Sequence, residues 1–316
     1  MTVPKKRAVP VKMIWMFIVL GVTLSWMLTV LMVRGRMTNV MNAFYTISPN
    51  LLLIAGAAVC LARGTLNLAL PGTACLCAAL FALISRDGSP VAGIIAALAA
   101  GTALGALNGV FAVQSGKKAL LVTGIASLAV GFIFQSFEGI LTGNQAVTVN
   151  MDRNAIYVFA WIGIFVAAAV CILGGLGKHA SPETGEEGEQ PSGASRFLWT
   201  MIAGALAGLA GVVYVARARA FIPSAFSSCI EMYILPALLL GGMLIPNFRR
   251  STGEAVLGMV AVVLAGLCVG FISMYLMIIG LDVMFQRLVM GIVSALLLIP
   301  NILIRRGKKK AEIQEE

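Results

Sequence analysis

Four polar side chains interrupt otherwise apolar stretches of this sequence: Asn67, Asn108, Gln135 and Glu138. An amide or carboxyl group surrounded by hydrocarbon costs free energy, so such residues usually face a bundle interior or a water-filled route, where a solute would be handled. Asn67, Asn108 and Gln135 are therefore the candidate lining of a translocation route. A bland reading stands beside each: Asn108 as an interhelical hydrogen bond, Glu138 as a residue already at the membrane interface.

Bond-making chemistry is hard to assemble from the rest. His179 is the only histidine and lies in a polar loop, so neither a histidine-based metal site nor a Ser/His/Asp triad can be built. Of the six cysteines, Cys60, Cys75, Cys77, Cys171, Cys229 and Cys268, most fall within apolar runs. Cys75 and Cys77 are two apart and point in different directions on a helix, which leaves them as small packing residues. Glu138, Glu231 and Asp282 are spread near the ends of apolar runs, with no partner to make an acid/base set at membrane depth. No G-x-x-x-x-G-K-[ST] loop is present, so any ATP that drives this protein must be bound by another subunit. These residues offer no enzyme active site and no cofactor or metal site.

The elements that must position these residues are membrane helices. The 316 residues are 59% hydrophobic and 11% charged, with a mean hydropathy of +0.96. A soluble domain has a charged fraction nearer a quarter. A bilayer core takes about 20 apolar residues per helix. Ten segments meet that need: 13–33, 43–62, 66–85, 91–113, 119–142, 155–176, 197–215, 230–246, 253–277 and 284–304. The third is broken by Asn67, Pro71 and Gly72, the eighth by Glu231 and Pro236. Irregular backbone at membrane depth is tolerated only where it is buried in protein or lines a cavity. Lys5, Lys6 and Arg7 precede the first run as in a signal peptide, but the run is about 21 residues long with no small-residue cleavage pattern after it, and it reads as a retained helix.

The net charge of +10 reflects topology and not nucleic acid, because the basic residues are scattered or sit at the ends of apolar runs. With the N-terminus inside, sixteen lysines and arginines fall on the inner side and seven on the outer, which selects N-in, C-in. Pro71, Gly88, Gly93, Gly101 and Gly105 recur 165 residues later (236 − 71) as Pro236, Gly253, Gly258, Gly266 and Gly270. The fourth span thereby maps onto the ninth. An odd offset of five spans inverts the second copy, so the fold class is all-α integral membrane with about ten transmembrane helices and an inverted-topology repeat. The single membrane domain 1–316 divides into a first repeat of about 43–142, a cytoplasmic loop 177–196, a second repeat of about 197–304 and a basic tail 305–316. Small residues four apart, Gly101 with Gly105, Gly204 with Gly208 and Gly266 with Gly270, are helix-packing seams, with Gly211 extending the second.

The stretch Ala62-Arg-Gly-Thr-Leu-Asn-Leu-Ala-Leu-Pro-Gly72, the helix Gly93 to Phe111, the run Gly204 to Arg217 and Ala237-Leu-Leu-Leu-Gly-Gly-Met243 follow one another in an order and spacing that resembles the permease subunits of ribose-type and branched-chain-amino-acid-type ABC importers. The resemblance covers about 50 to 304. It implies a membrane domain of about ten helices in a bacterial-type plasma membrane, embedded in lipid and paired with a second permease, the same or homologous. It also implies cytoplasmic ATPase subunits and an extracytoplasmic binding protein that delivers a small polar solute such as a sugar or nucleoside.

In that family the loop between spans six and seven carries a coupling helix patterned Gly-x-x-x-x-Ala-x-Gly-x-Asn-x-x-Ala-Ala. Here the ATPase-facing loop would present Lys178, Glu183, Glu186, Glu187 and Arg196, but Pro182, Pro191 and several glycines oppose a helix. The expectation is a subunit that couples weakly and works beside a homologous permease with the full coupling helix. An ion-coupled secondary transporter and a non-transporting partner subunit are the alternatives. The former fits poorly, since its usual buried acids and histidines are nearly absent from the apolar centres.

Overall fold

Apolar runs of this length leave the chain one way to satisfy its backbone in hydrocarbon, the α-helix. The computed structural model describes residues 11–34, 37–114, 119–176, 191–227, 229–242, 252–282 and 284–296. The helices are α1 Val11–Arg34, α2 Met37–Ala62, α3 Leu70–Asp87, α4 Pro90–Gln114, α5 Ala119–Thr142, α6 Arg153–Gly175, α7 Gly193–Ala218, α8 Leu235–Leu240 and α9 Thr252–Ile278, with a shorter apolar helix α10, Met284–Leu296. Seven of them, α2 to α7 and α9, are long and apolar enough to cross a membrane within their described residues. The protein is an all-α membrane protein.

Burial separates the centre of the bundle from its rim. The most apolar window of α2 is 78% buried and those of α3, α7 and α9 are above 60%, whereas α4, α5 and α6 bury a third or less. The first four are thus the core, and the last three turn large side chains such as Ile95, Leu121, Ile125 and Phe165 outward, as lipid-facing helices do.

The glycine seams fix how rim and core meet. On α4, a methyl group at Gly101 would stand 2.5 Å from the Gly204 carbonyl oxygen of α7, and one at Gly105 would stand 2.8 Å from the Thr200 carbonyl oxygen. On α7, a methyl group at Gly208 would stand 2.6 Å from the Ala97 carbonyl oxygen of α4, so Gly204 and Gly208 form one seam as their spacing predicts, both facing α4. The two backbones therefore touch directly, which only small residues allow. Gly211 continues the α7 seam against a different helix, meeting Ala74 and Ala78 of α3. On α9, Gly266 receives the end of Leu51 and Gly270 receives Ile47, both from α2. That third seam is a socket for side chains and not a contact of backbones.

The two interrupted spans differ from a plain helix in different ways. Before α3 the chain leaves the helix over 65–69, with Ala69 already back in the α region as the N-cap, and Pro71 stands in the first turn, where its missing N–H costs nothing. Before α8 comes a single π-helical turn, Ile230–Ile234, and Pro236 again stands in the first turn. The sequence places spans from 66 and to 246. The third helix instead starts at Leu70, and α8 ends at Leu240. Strand β1, Val147–Thr148, pairs antiparallel with β2, Ala220–Phe221, joining the α5–α6 connection to the chain after α7.

Candidate functional site

The non-helical segment before α3 runs along α5, and over 66–68 the spacing of its hydrogen bonds is that of extended chain matched to helix. Two residues of extended chain advance about 6.6 Å, while four helical residues advance about 6 Å. Thr123 and Ser127, four apart on α5, can therefore serve Leu66 and Leu68, two apart on the segment. The Leu66 N–H donates to Thr123 Oγ1 at 3.0 Å and the Leu68 N–H to Ser127 Oγ at 2.9 Å. Ser127 Oγ lies 3.1 Å from the Leu66 carbonyl oxygen and 3.1 Å from that of Gly124. Asn67 Oδ1 accepts from the Ala69 N–H at 3.1 Å. Gly131 lets α5 close on this track, with Ala69 and Gly72 against it. These side chains replace the ladder that an unbroken helix would supply.

Asn67 and Asn108 line the same small cavity, of about 10 Å3, together with Thr65, Thr123, Ser127 and Thr200. Asn108 is 4% exposed and neither its amide nitrogen nor its amide oxygen has a hydrogen-bond partner. Asn108 lies six residues before the end of α4, Thr200 seven after the start of α7 and Ser127 eight after the start of α5. At 1.5 Å per residue the cavity sits about 9 to 12 Å in from those helix ends.

Gln135 is half-buried on α5, beside the buried stripe Thr123, Ser127, Gly131, Phe134 and Glu138, and does not line that cavity. Glu138 is 1% exposed, and its Oε1 accepts from the Ser224 N–H at 3.3 Å. Arg196, read from the sequence as part of an ATPase-facing loop, is 7% exposed within the first turns of α7, which begins earlier than the hydropathy predicts. Ser192 caps that helix by accepting from the Ser195 N–H at 3.2 Å. Lys178, Glu183, Glu186, Glu187 and the basic tail lie outside the described residues.

A second polar cluster was not picked out by sequence reasoning, which counted Arg217 only as an outer charge. Arg217 Nη1 donates to Thr46 Oγ1 of α2 at 3.0 Å, its guanidinium lies 5.8 Å from the Tyr214 ring, and its buried Nε has no partner. Tyr233 of the π-helical turn shares a hydrogen bond of 3.0 Å with Ser273 of α9. Cys229 donates to Asn50 Oδ1 at 3.4 Å. Thr46 and Asn50 at i and i+4 on one face of α2 were the available signal. Among the described residues no group of three or more His, Cys, Asp or Glu could hold a metal ion, and all six cysteines are free and buried.

No family model matches the chain, and no solved structure does. Ribose import permease protein RbsC of Escherichia coli strain K12 is 24% identical over 281 residues, covering 82% of this chain and 84% of that protein. The chain is a homologue of that permease. The same protein from Escherichia coli O6:H1 and O157:H7 matches with identical figures. These relatives are permeases and not catalysts, in line with a chain that carries no nucleotide-binding loop.

Proposed function

We propose that this chain is the membrane-spanning permease subunit of an ATP-driven ABC importer, carrying a small polar solute, a sugar before a nucleoside. The observation that carries the reading is the homology to a ribose import permease over four-fifths of both chains, in a protein whose described residues include seven helices long and apolar enough to cross a membrane. The sequence lacks the phosphate-binding loop that would let it use ATP alone, so cytoplasmic ATPase subunits complete the machine. An extracytoplasmic binding protein delivers solute, and a second permease, the same or homologous, stands beside this one in the inner membrane. Both termini face the cytoplasm.

In this reading α2 to α5 and α7 to α10 are the two halves of an inverted repeat. The matched placing of Pro71 and Pro236 in the first turns of α3 and α8 supports it. So does the exchange of contacts, α4 on α7 and α9 on α2. Asn67 and Asn108 form the inner closure of the route. A cavity of about 10 Å3 has room for one water and none for a sugar. The route there is therefore shut, and the non-helical segment must leave α5 for solute to pass. Gln135 meets solute above that closure, on the same helix. The loop around 177–196 contacts the ATPase weakly, and a homologous permease supplies the stronger contact.

Purification of the tagged chain from its native membrane in mild detergent, with partners identified by mass spectrometry, tests the reading. Recovery of an ATPase and a second permease, and ATP-dependent sugar uptake by the reconstituted assembly, is the expected result. Uptake by the chain alone in liposomes without ATP would replace the importer with a secondary transporter.

A further inference from the structure

The polar cluster around Arg217 has the composition of a binding site, and nothing in the inner closure requires it. It draws on four elements: Thr46 and Asn50 of α2, Tyr214 and Arg217 of α7, Tyr233 of the π-helical turn and Ser273 of α9. Thr46 and Asn50 stand one turn apart on α2, and Cys229, whose thiol donates to Asn50, lies four residues before Tyr233, which draws the three hydrogen-bonded pairs into one group. Thr46 is nine residues from the start of α2 and Ser273 five from the end of α9, about 8 to 14 Å in from those ends, while Arg217 is one residue from the end of α7 and reaches Thr46 from there. Thr200 of the inner closure is 17 residues from Arg217 along α7, or about 26 Å. The two polar stations thus stand near opposite faces of a hydrocarbon core of about 30 Å.

Burial differs between them in a telling way. Asn67, Asn108, Thr123 and Ser127 are each 4% exposed or less, whereas Thr46, Asn50, Arg217 and Tyr233 are half-buried although they sit within the bundle, with Ser273 at 6% exposed beneath Tyr233. A guanidinium and an amide in the membrane mark a solute or ion pathway by default, because holding them there is expensive. Here they keep unused capacity, since the buried Arg217 Nε has no acceptor. A π-helical turn, frequent at functional sites, supplies Tyr233.

We propose that Thr46, Asn50, Arg217, Tyr233 and Ser273 form a solute-binding station open to the outer side, selective for a neutral polyhydroxylated solute such as a pentose. The inference rests on the importer reading and names its outer site. The chemistry fits because each sugar hydroxyl both donates and accepts. The guanidinium supplies donors only, the hydroxyls of Thr46, Tyr233 and Ser273 supply both, and Asn50 supplies two donors and an acceptor. The faces of Tyr214 and Tyr233 offer apolar surface to the C–H side of a sugar ring.

The test is the accessibility of Thr46→Cys and Asn50→Cys to a membrane-impermeant methanethiosulfonate, applied from outside to cells expressing the full chain. Labelling of wild type serves as background, since its six cysteines are buried. Monodisperse gel filtration of each variant shows that it is folded. Both variants should label, and D-ribose at ten times its half-protecting concentration should slow labelling about tenfold. Arg217→Met should leave Asn50→Cys labelled and abolish the protection, while Arg217→Lys, a cation without the planar fork, restores part of it. Absence of labelling in both cysteine variants, no protection by D-ribose or by a mixture of neutral pentoses and hexoses, protection by gluconate in place of neutral sugars, or full protection in Arg217→Met would each overturn the proposal. These readouts need no ATP and no partner subunit, so they fail separately from the importer reading, which stands or falls on co-purification and ATP-dependent uptake.

Discussion

Asn108 keeps both ends of its amide unpartnered while 4% exposed. A buried polar group without a partner costs about 1 to 3 kcal/mol, and on the proposed reading that cost is borne for transport. Replacing it by leucine, of similar length and apolar, should leave the melting temperature of the detergent-purified chain unchanged or raise it by a few degrees, and should lower transport by the reconstituted importer. Thermal unfolding measured beside uptake distinguishes this from a packing role, in which stability and transport would fall together. Ser127 carries the opposite expectation. Ser127→Ala strips the Leu68 N–H of its acceptor at membrane depth and should destabilise the chain by about 1 to 3 kcal/mol, seen as a lower melting temperature. Polar residues in apolar runs were legible in the sequence because their cost does not depend on the fold, and Asn67 and Asn108 meet on one cavity. Gln135 stands off that cavity because one residue along a helix is a turn of 100°. The Arg217 cluster was hidden because an arginine at the end of an apolar run reads equally as a topology signal, and only the packing of α2, α9 and the π-helical turn shows what it touches.

Among the elements, the glycine seams are not equivalent. A methyl group added at Gly204 or Gly208 would meet the backbone of α4, whereas one added at Gly266 would meet the terminal carbon of Leu51, which can rotate away. Gly204→Ala should therefore force α4 and α7 apart at a cost of about 1 to 3 kcal/mol, and Gly266→Ala should cost less. Gly291→Ala, with open space around it, should be near neutral. The yield of monodisperse protein and its melting temperature rank the three. The helices themselves were legible to within a few residues at most ends, since hydropathy in a bilayer is nearly a complete instruction. The non-helical track of 65–69 was legible only as an interruption. Its path depends on two hydroxyls of α5 that sit 57 and 59 residues further along the chain, and no local pattern announces such a partner.

At the level of the whole molecule, the distribution of lysine and arginine sets a direction that the bundle must share. Asp87→Cys, at the exposed end of α3, should react with the impermeant reagent from outside intact cells, and a cysteine placed at Lys178 should react only after permeabilisation. The reverse pattern would invert the protein and exchange the sides of both polar stations. The recurrence of proline and glycine at an offset of 165 residues (236 − 71) was legible in the sequence because it depends on spacing alone. It could not show that β1 and β2 join the connection after α5 to the chain after α7.

Stiffness is unevenly shared across this bundle. Where α4 lies on α7, carbonyl groups rest against α-carbons, with no rotamers between them to re-sort, so those two helices travel together as a single beam. The non-helical segment is fastened to α5 through two hydroxyls, each of which also has a carbonyl of its own helix within reach, Leu120 for Thr123 at 3.4 Å and Gly124 for Ser127 at 3.1 Å. Those hydroxyls can release the segment without being stranded, and the amides of Leu66 and Leu68 then need only water in their place. The beam is the stiff member of the bundle, and the fastening is a zip with somewhere for each tooth to go.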